Sequence, residues 1–192
     1  GKIKKVALEL ASYAKKVAAS MGTTVTAVTI NNADNSALAA YGVDKVLTVT
    51  NDKLNNFSAK AYADVIVQAA KKEGTQIVLV SSSTNSLYLA PLVAVALEAG
   101  YVSNVVALPE STSPFQVKRT VFSNKAFNVT EIATPIKVLG IAKNSFGLVE
   151  SASTLAEESF APSLNDADFG IKVESVEKVS GKVTIADAEI VV

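Results

Sequence analysis

Residues 77–91 read IVLVSSSTNSLYLAP: an apolar run, a break of small polar residues, then an apolar resumption. Four consecutive apolar residues without alternation fit a strand covered on both faces, as in a parallel sheet flanked by helices. The polar break then falls at a strand-to-helix turn. In open α/β sheets this is where anionic ligands bind, because strand carboxyl ends and helix amino ends converge there. Ser82, Ser83, Thr84 and Asn85 are therefore candidate nucleotide-loop residues. The plainer alternative is a helix cap, since Ser, Thr and Asn are the side chains that accept a hydrogen bond from a free helix N–H.

On either side the same alternation repeats. KIKKVALELASYAKKVAASMG (2–22) spaces Ile3, Val6, Leu10, Tyr13, Val17 and Met21 at three- and four-residue steps and ends in glycine, which predicts an amphipathic helix. TTVTAVTI (23–30) is rich in β-branched residues and predicts a strand, and NNADNS (31–36) a polar turn. A short helix through Leu38–Tyr41 leads by Gly42 into a strand, DKVLTV (44–49). SAKAYADVIVQAAKKEG (58–74) predicts a second long helix, and Leu87–Ala99 a third that stops at Gly100. Strand alternating with helix is the pattern of an open, mostly parallel α/β sheet with helices on both faces.

The second half changes character. FQVKRTVF (115–122), KAFNVTEIA (125–133) and IKVLGIA (136–142) are strand-like, and the Ser123-Asn124 turn joins the first two as a hairpin. The polar stretch 151–170 is expected as a linker or an ordered loop, and 171–192 as two further strands across Ser180-Gly181. The expected organisation is an α/β domain over 1–150 followed by a linker and β-strand extension over 151–192. The chain opens directly on a helix and closes on EIVV, an apolar strand without a polar tail. It is expected to be a piece of a longer polypeptide, with a strand preceding Gly1.

Composition narrows the chemistry. The 192 residues are 49% hydrophobic and 19% charged, with 18 basic against 18 acidic side chains. This balance gives no global electrostatic case for nucleic acid or for an anionic membrane. No apolar run reaches the length of a membrane span. The absence of cysteine suits a cytoplasmic protein and removes thiolate chemistry, and the absence of histidine removes the commonest general base and zinc ligand. The nine glycines are scattered, so neither a dinucleotide fingerprint nor a P-loop can be written. The acidic residues Glu157, Glu158, Asp166 and Asp168 lack the spacing and glycine of a calcium loop and read as a solvated face. Arg119 is the only arginine, and Phe122 and Phe127 lie close to it in sequence. Arginine and aromatics are enriched at interface hot spots, so these three are the partner-interface candidates, although a lone strand arginine is more often a plain surface residue. No catalytic residue and no metal site is assigned. From its residues the chain is a binding or scaffold module.

AYGVDKVLTV (40–49), SAKAYADVIVQAA (58–70), IVLVSSSTNSLYLAPLVAVALEAGYVSNVVAL (77–108), VKRTVFSNKAFNVTEI (117–132) and IKVLGIAKNSFG (136–147) occur in an order and spacing that resemble the amino-terminal domain of the electron transfer flavoprotein alpha subunit. The resemblance covers most of the chain. It implies an adenine nucleotide alpha-hydrolase-like fold and a role as the structural and subunit-interaction domain of a heterodimeric electron carrier. Such a carrier pairs with a beta subunit, takes electrons from dehydrogenases, and passes them to a membrane quinone reductase or similar acceptor. It also implies FAD in the full-length protein, held mainly by a carboxy-terminal domain that would follow Val192. Two positions depart from the family pattern: Leu92 stands where an arginine is common, and Asn104 where an aspartate is common. Both remove charge near the polar turn, which favours the cap. The competing function is a stand-alone adenine-nucleotide sensor of the universal stress type, with Ser82, Ser83 and Thr84 on phosphate.

Overall fold

The computed structural model describes residues 3–171 and 174–175, so the expected strands across Ser180-Gly181 lie outside the described residues. The chain runs α1 (Lys5–Met21), β1 (Thr26–Ile30), β2 (Lys45–Val49), α2 (Ala59–Glu73), β3 (Ile77–Ser81), α3 (Thr84–Ala96), β4 (Gly100–Val105), β5 (Ser111–Thr112), β6 (Phe115–Val121), β7 (Ala126–Glu131), β8 (Lys137–Ile141) and β9 (Ala156–Ser159). The short helix after NNADNS is a 3-10 turn over Ser36–Tyr41.

The α/β class holds, with a sheet in two parts. One part orders β3-β8-β4-β6-β5 with β7 paired to β6, and the other orders β1-β2-β9. The pairings β1–β2, β2–β9, β3–β8 and β4–β8 are parallel, whereas β4–β6, β5–β6 and β6–β7 are antiparallel. Both faces are covered, and β3 shows how. Val78 and Val80 pack with Ala63, Leu89, Val93 and Val138 beneath α2 and α3. The alternate residues Ile77 and Leu79 pack with Tyr13, Val17 and Leu139 beneath α1. A strand whose successive side chains meet different helices must be apolar throughout, which is why IVLV does not alternate.

Helix ends explain the displaced bounds of the third helix. Gly22 and Gly74 adopt φ of 65° and 61° and close α1 and α2 as expected. The third helix spans Thr84–Ala96 rather than Leu87–Ala99, because Ser83 starts it earlier and Glu98 ends it. Glu98 takes φ 52° while the Ala99 N–H donates to Ala94 O at 2.8 Å, a left-handed closure made without glycine. Gly100 is thereby released to begin β4. Asn104, also left-handed at φ 56°, sits where the β4–β8 register shifts between Val102 and Val105.

The stretch 151–170 is an ordered part of the domain. β9 adds to β2, and Phe160, Leu164 and Phe169 pack against Val49, Leu54, Ala61 and Val65. Of the acidic residues expected as a solvated face, Glu157 and Asp166 are exposed, Glu158 is half-buried and Asp168 is buried, and the last three are also ion-paired. Glu158 meets Lys45 at 2.7 Å and Lys72 at 2.8 Å, Asp166 meets Lys53 at 2.8 Å, and Asp168 meets Lys60 at 3.2 Å. Hydrogen bonds from Lys45 and then Lys72 hold the Glu158 carboxyl down at about 2. A carboxylate with a depressed folded value contributes stability above its unfolded value and loses it as pH falls through the folded one. Protection of the β9 amides against hydrogen exchange is therefore expected to be full above about pH 4.5 and to fail toward pH 2, before that of β3 and β8, and Glu158→Gln should remove this acid sensitivity. Simultaneous loss in all three strands would contradict it.

Candidate functional site

The β3–α3 turn is built from its backbone outward. The Ser82 N–H donates to Ile141 O at 2.7 Å, extending the β3–β8 ladder by one bond, and the Ser83 N–H turns back to Ser81 O at 2.8 Å. Ser83 then stands at the N-cap with extended backbone angles, and its Oγ accepts from the Ser86 N–H at 3.3 Å. The Ser83 and Ser86 hydroxyls are 2.9 Å apart. The Ser82 hydroxyl is buried without a hydrogen-bond partner, close to where a side chain at Gly140 would stand. Thr84 and Asn85 are exposed on the first helical turn. Of the four candidate loop residues, the structure thus gives Ser83 a cap role and engages none of the others in it.

A second cluster of backbone donors lies after β8. Asn144 and Gly147 take left-handed angles of 57° and 84°, and the N–H groups of Asn144, Phe146 and Gly147 converge at 2.9, 2.9 and 3.0 Å on the Glu9 carboxylate from α1. Converging N–H groups of this kind form an anion-binding concavity. Here the anion is the protein's own. Burial pushes the Glu9 carboxyl up, and the hydrogen bonds from Gly147, Phe146 and Asn144 outweigh it, so the net shift is downward from the ordinary 4.5. Sequence reading missed Glu9 because it counts as one charge on an amphipathic helix until the distant loop meets it. Ser12, one turn later, ties the same segment through Val149.

The β6–β7 hairpin forms as expected, with Phe122, Ser123 and Asn124 all at positive φ in its turn. It does not bring the interface candidates onto one face. Thr120 pairs with Phe127 and Arg119 with Asn128, and cross-strand partners share a face while neighbours along a strand alternate. Phe127 therefore stands with Lys118, whose Nζ lies 4.7 Å from the ring centroid, and Arg119 points to the other side. Arg119 is half-buried, its Nη2 donating to Ser103 Oγ at 3.3 Å and its Nε buried without a partner. Phe122 and Phe127 are exposed at 82% and 65%.

A larger apolar surface lies on α3. Leu89, Ala90, Val93 and Ala94 are buried in the core, yet Leu87, Tyr88, Leu92 and Val95 on the outward side are also apolar and exposed, Val95 at 79%. Leu92, the departure noted above, belongs to this outward face. The sequence signal was the lack of any polar face in SLYLAPLVAVA.

A family profile described as "Electron transfer flavoprotein domain" matches residues 1–165. The chain belongs to the electron transfer flavoprotein family. The relatives it is similar to include the electron transfer flavoprotein subunit alpha of Bacillus subtilis, 27% identical over 81% of this chain and 48% of that protein. The subunit alpha of Thermoanaerobacterium thermosaccharolyticum is 32% identical over 56% of this chain and 34% of its own length, and that of Megasphaera elsdenii 27% identical over 100% and 60%. The chain spans about half the length of the Bacillus relative. Neither of the two donor sets described above fits the pyrophosphate of a flavin dinucleotide. One donor set is filled by Glu9, and the other caps α3 with no cationic side chain between Ser81 and Tyr88.

Two substitutions check this account. Ser83→Ala is expected to destabilise the domain by about 1 kcal/mol through the lost cap. Glu9→Gln is expected to cost about 2 kcal/mol or more, since a neutral amide replaces a charged acceptor of several hydrogen bonds. The Glu9 contribution should be complete above about pH 4.5 and lost as pH falls below it, because the folded value is depressed. Urea denaturation at pH 7 and pH 3 measures both, and equal wild-type and Glu9→Gln stabilities at pH 7 would refute the Glu9 role.

Proposed function

We propose that the domain is the structural and subunit-interaction part of the alpha subunit of a heterodimeric, FAD-containing electron carrier. In this reading the parent protein pairs with a beta subunit, receives electrons from dehydrogenases, and passes them to a membrane quinone reductase or similar acceptor in the cytoplasm. The domain itself carries no catalytic centre, and FAD resides in the remainder of the parent.

The observation that carries the reading is α3. A helix that is apolar all round belongs in a buried setting, yet one side of α3 faces solvent with Leu87, Tyr88, Leu92 and Val95. Contiguous exposed apolar surface of this kind marks an interaction site. The exposed rings of Phe122 and Phe127 on the hairpin add a second apolar surface, with Arg119 on its reverse side. Family membership supplies the kind of partner. A stand-alone nucleotide sensor is less well supported, because, of Ser82, Ser83 and Thr84, the middle hydroxyl already serves the α3 cap, and no cationic side chain lies between Ser81 and Tyr88.

In the full-length parent, Tyr88→Asp and Val95→Asp are each expected to weaken beta-subunit association by about 2 kcal/mol, and Phe127→Ser and Arg119→Ala by about 1 kcal/mol. Analytical ultracentrifugation of the purified pair reads this, and unchanged association in all four variants would remove the proposal. A separate expectation concerns flavin. The 192-residue chain mixed with excess FAD and desalted should retain no visible flavin absorbance. A yellow protein with one flavin per chain would overturn the placement of FAD elsewhere.

A further inference from the structure

The only arginine of the chain, Arg119, is held half-buried by one neutral contact. Its Nη2 donates to Ser103 Oγ at 3.3 Å and its Nε is buried without a partner. Among the described residues no carboxylate pairs with it, whereas Lys45, Lys53 and Lys60 each meet one. A guanidinium presents its donors in a fixed planar fork that matches an oxyanion, and burying the charge without such a partner is unfavourable.

Ser103 lies near the carboxyl end of β4, and the ends of the neighbouring parallel strands complete the surroundings. β8 runs between β4 and β3, and Gly140 is its next-to-last residue. A side chain built on Gly140 would stand 3.2 Å from Ser82 Oγ, 3.4 Å from the Tyr101 hydroxyl and 3.4 Å from Ser103 Cα. Residues from β4 and from the end of β3 therefore meet over one bare Cα. The φ of Gly140 is not among the left-handed ones, so its backbone does not call for glycine, whereas the space above it does. Val138, two residues earlier in β8, packs beneath α2 and α3, which puts the cluster on that same face of the sheet. The carboxyl ends of parallel strands are where open α/β sheets bind ligands.

The polar atoms gathered here are donors that lack acceptors. Ser82 Oγ is buried without a partner, and the Tyr101 hydroxyl makes no hydrogen bond among the described residues. Ser103 Oγ already accepts from Arg119, which leaves its proton to donate. Burial pushes the Tyr101 phenol up against the opposing effect of the Arg119 charge, so this hydroxyl stays protonated. Buried polar groups in native folds are paired, and an ordered water could serve a hydroxyl. Water does not balance the charge of a guanidinium.

We propose that Ser82, Tyr101, Ser103 and Arg119 form a binding site for one oxyanion group, a phosphate or a carboxylate, at the carboxyl ends of β3, β8 and β4. Arg119 supplies the charge and the planar fork, the three hydroxyls supply the remaining donors, and Gly140 supplies the room. Ser83 remains with the α3 cap, so of the four candidate loop residues only Ser82 takes part.

Titration of the isotope-labelled 192-residue chain with sodium phosphate and with sodium acetate at constant ionic strength, followed by NMR, tests the proposal. Saturable shifts are expected at the Arg119 Nε–H and at the amides of Ser82, Ser103 and Gly140, with sodium chloride producing none. The tighter of the two anions identifies the oxyanion. Arg119→Gln, which removes the charge, and Gly140→Ala, which fills the space while the Ser82 hydroxyl can turn aside, are each expected to weaken binding by about tenfold or more. Ser82→Ala should weaken binding and leave the anion-free protein at least as stable, because it removes an unpaired buried hydroxyl. Shifts that chloride reproduces, shifts that never saturate, or undiminished binding in either Arg119→Gln or Gly140→Ala would overturn the proposal. So would a Ser82→Ala protein that is less stable without anion, which would mean that water already satisfies that hydroxyl. The measurement uses this chain alone, so its outcome is separate from that of beta-subunit association.

Discussion

The fold turns on the seating of Lys137–Ile141 between β3 and β4. Parallel strands cannot be joined by a hairpin, so this strand arrives only after the chain has made α3, β4 and the antiparallel β5–β7 excursion. Val138 and Leu139 are fully buried on opposite faces, one beneath α2 and α3, the other beneath α1. Its carboxyl end then fixes both turns of chemical interest. Ile141 O holds the Ser82 N–H at the start of the α3 cap, and the loop that follows delivers three N–H groups to Glu9.

Charge has a stapling role in this domain. Glu9 secures the loop after β8 to α1, and Lys45, Lys53, Lys60 and Lys72 secure the β9 segment through Glu158, Asp166 and Asp168. Exposed pairs of this sort contribute little singly, but here they accompany buried contacts from Phe160, Leu164 and Phe169. The anion-binding potential of a helix start and a backbone concavity is spent internally. The surfaces left open are apolar instead, on α3 and on the hairpin, which is the character of a domain that meets other protein.

Local chemistry sufficed wherever a residue type fixes the backbone or a period fixes the buried face. The αβ alternation, the glycine ends of α1 and α2, the Ser123-Asn124 hairpin and the unbroken apolar run of β3 were all legible in sequence, because each depends on neighbours a few residues away. The end of α3 was not, since Glu98 closes it in a conformation usually left to glycine. Tertiary structure alone decided that Glu157 and Glu158 lie on a β9 strand, that Glu9 serves a distant loop, and that Arg119 and Phe127 fall on opposite sides of one hairpin. It also decided that β1 and β3 fall in separate parts of the sheet instead of pairing. Such outcomes depend on which strand becomes whose neighbour, a choice made by burial of whole faces and completion of backbone hydrogen bonds, and no window of local sequence contains both partners.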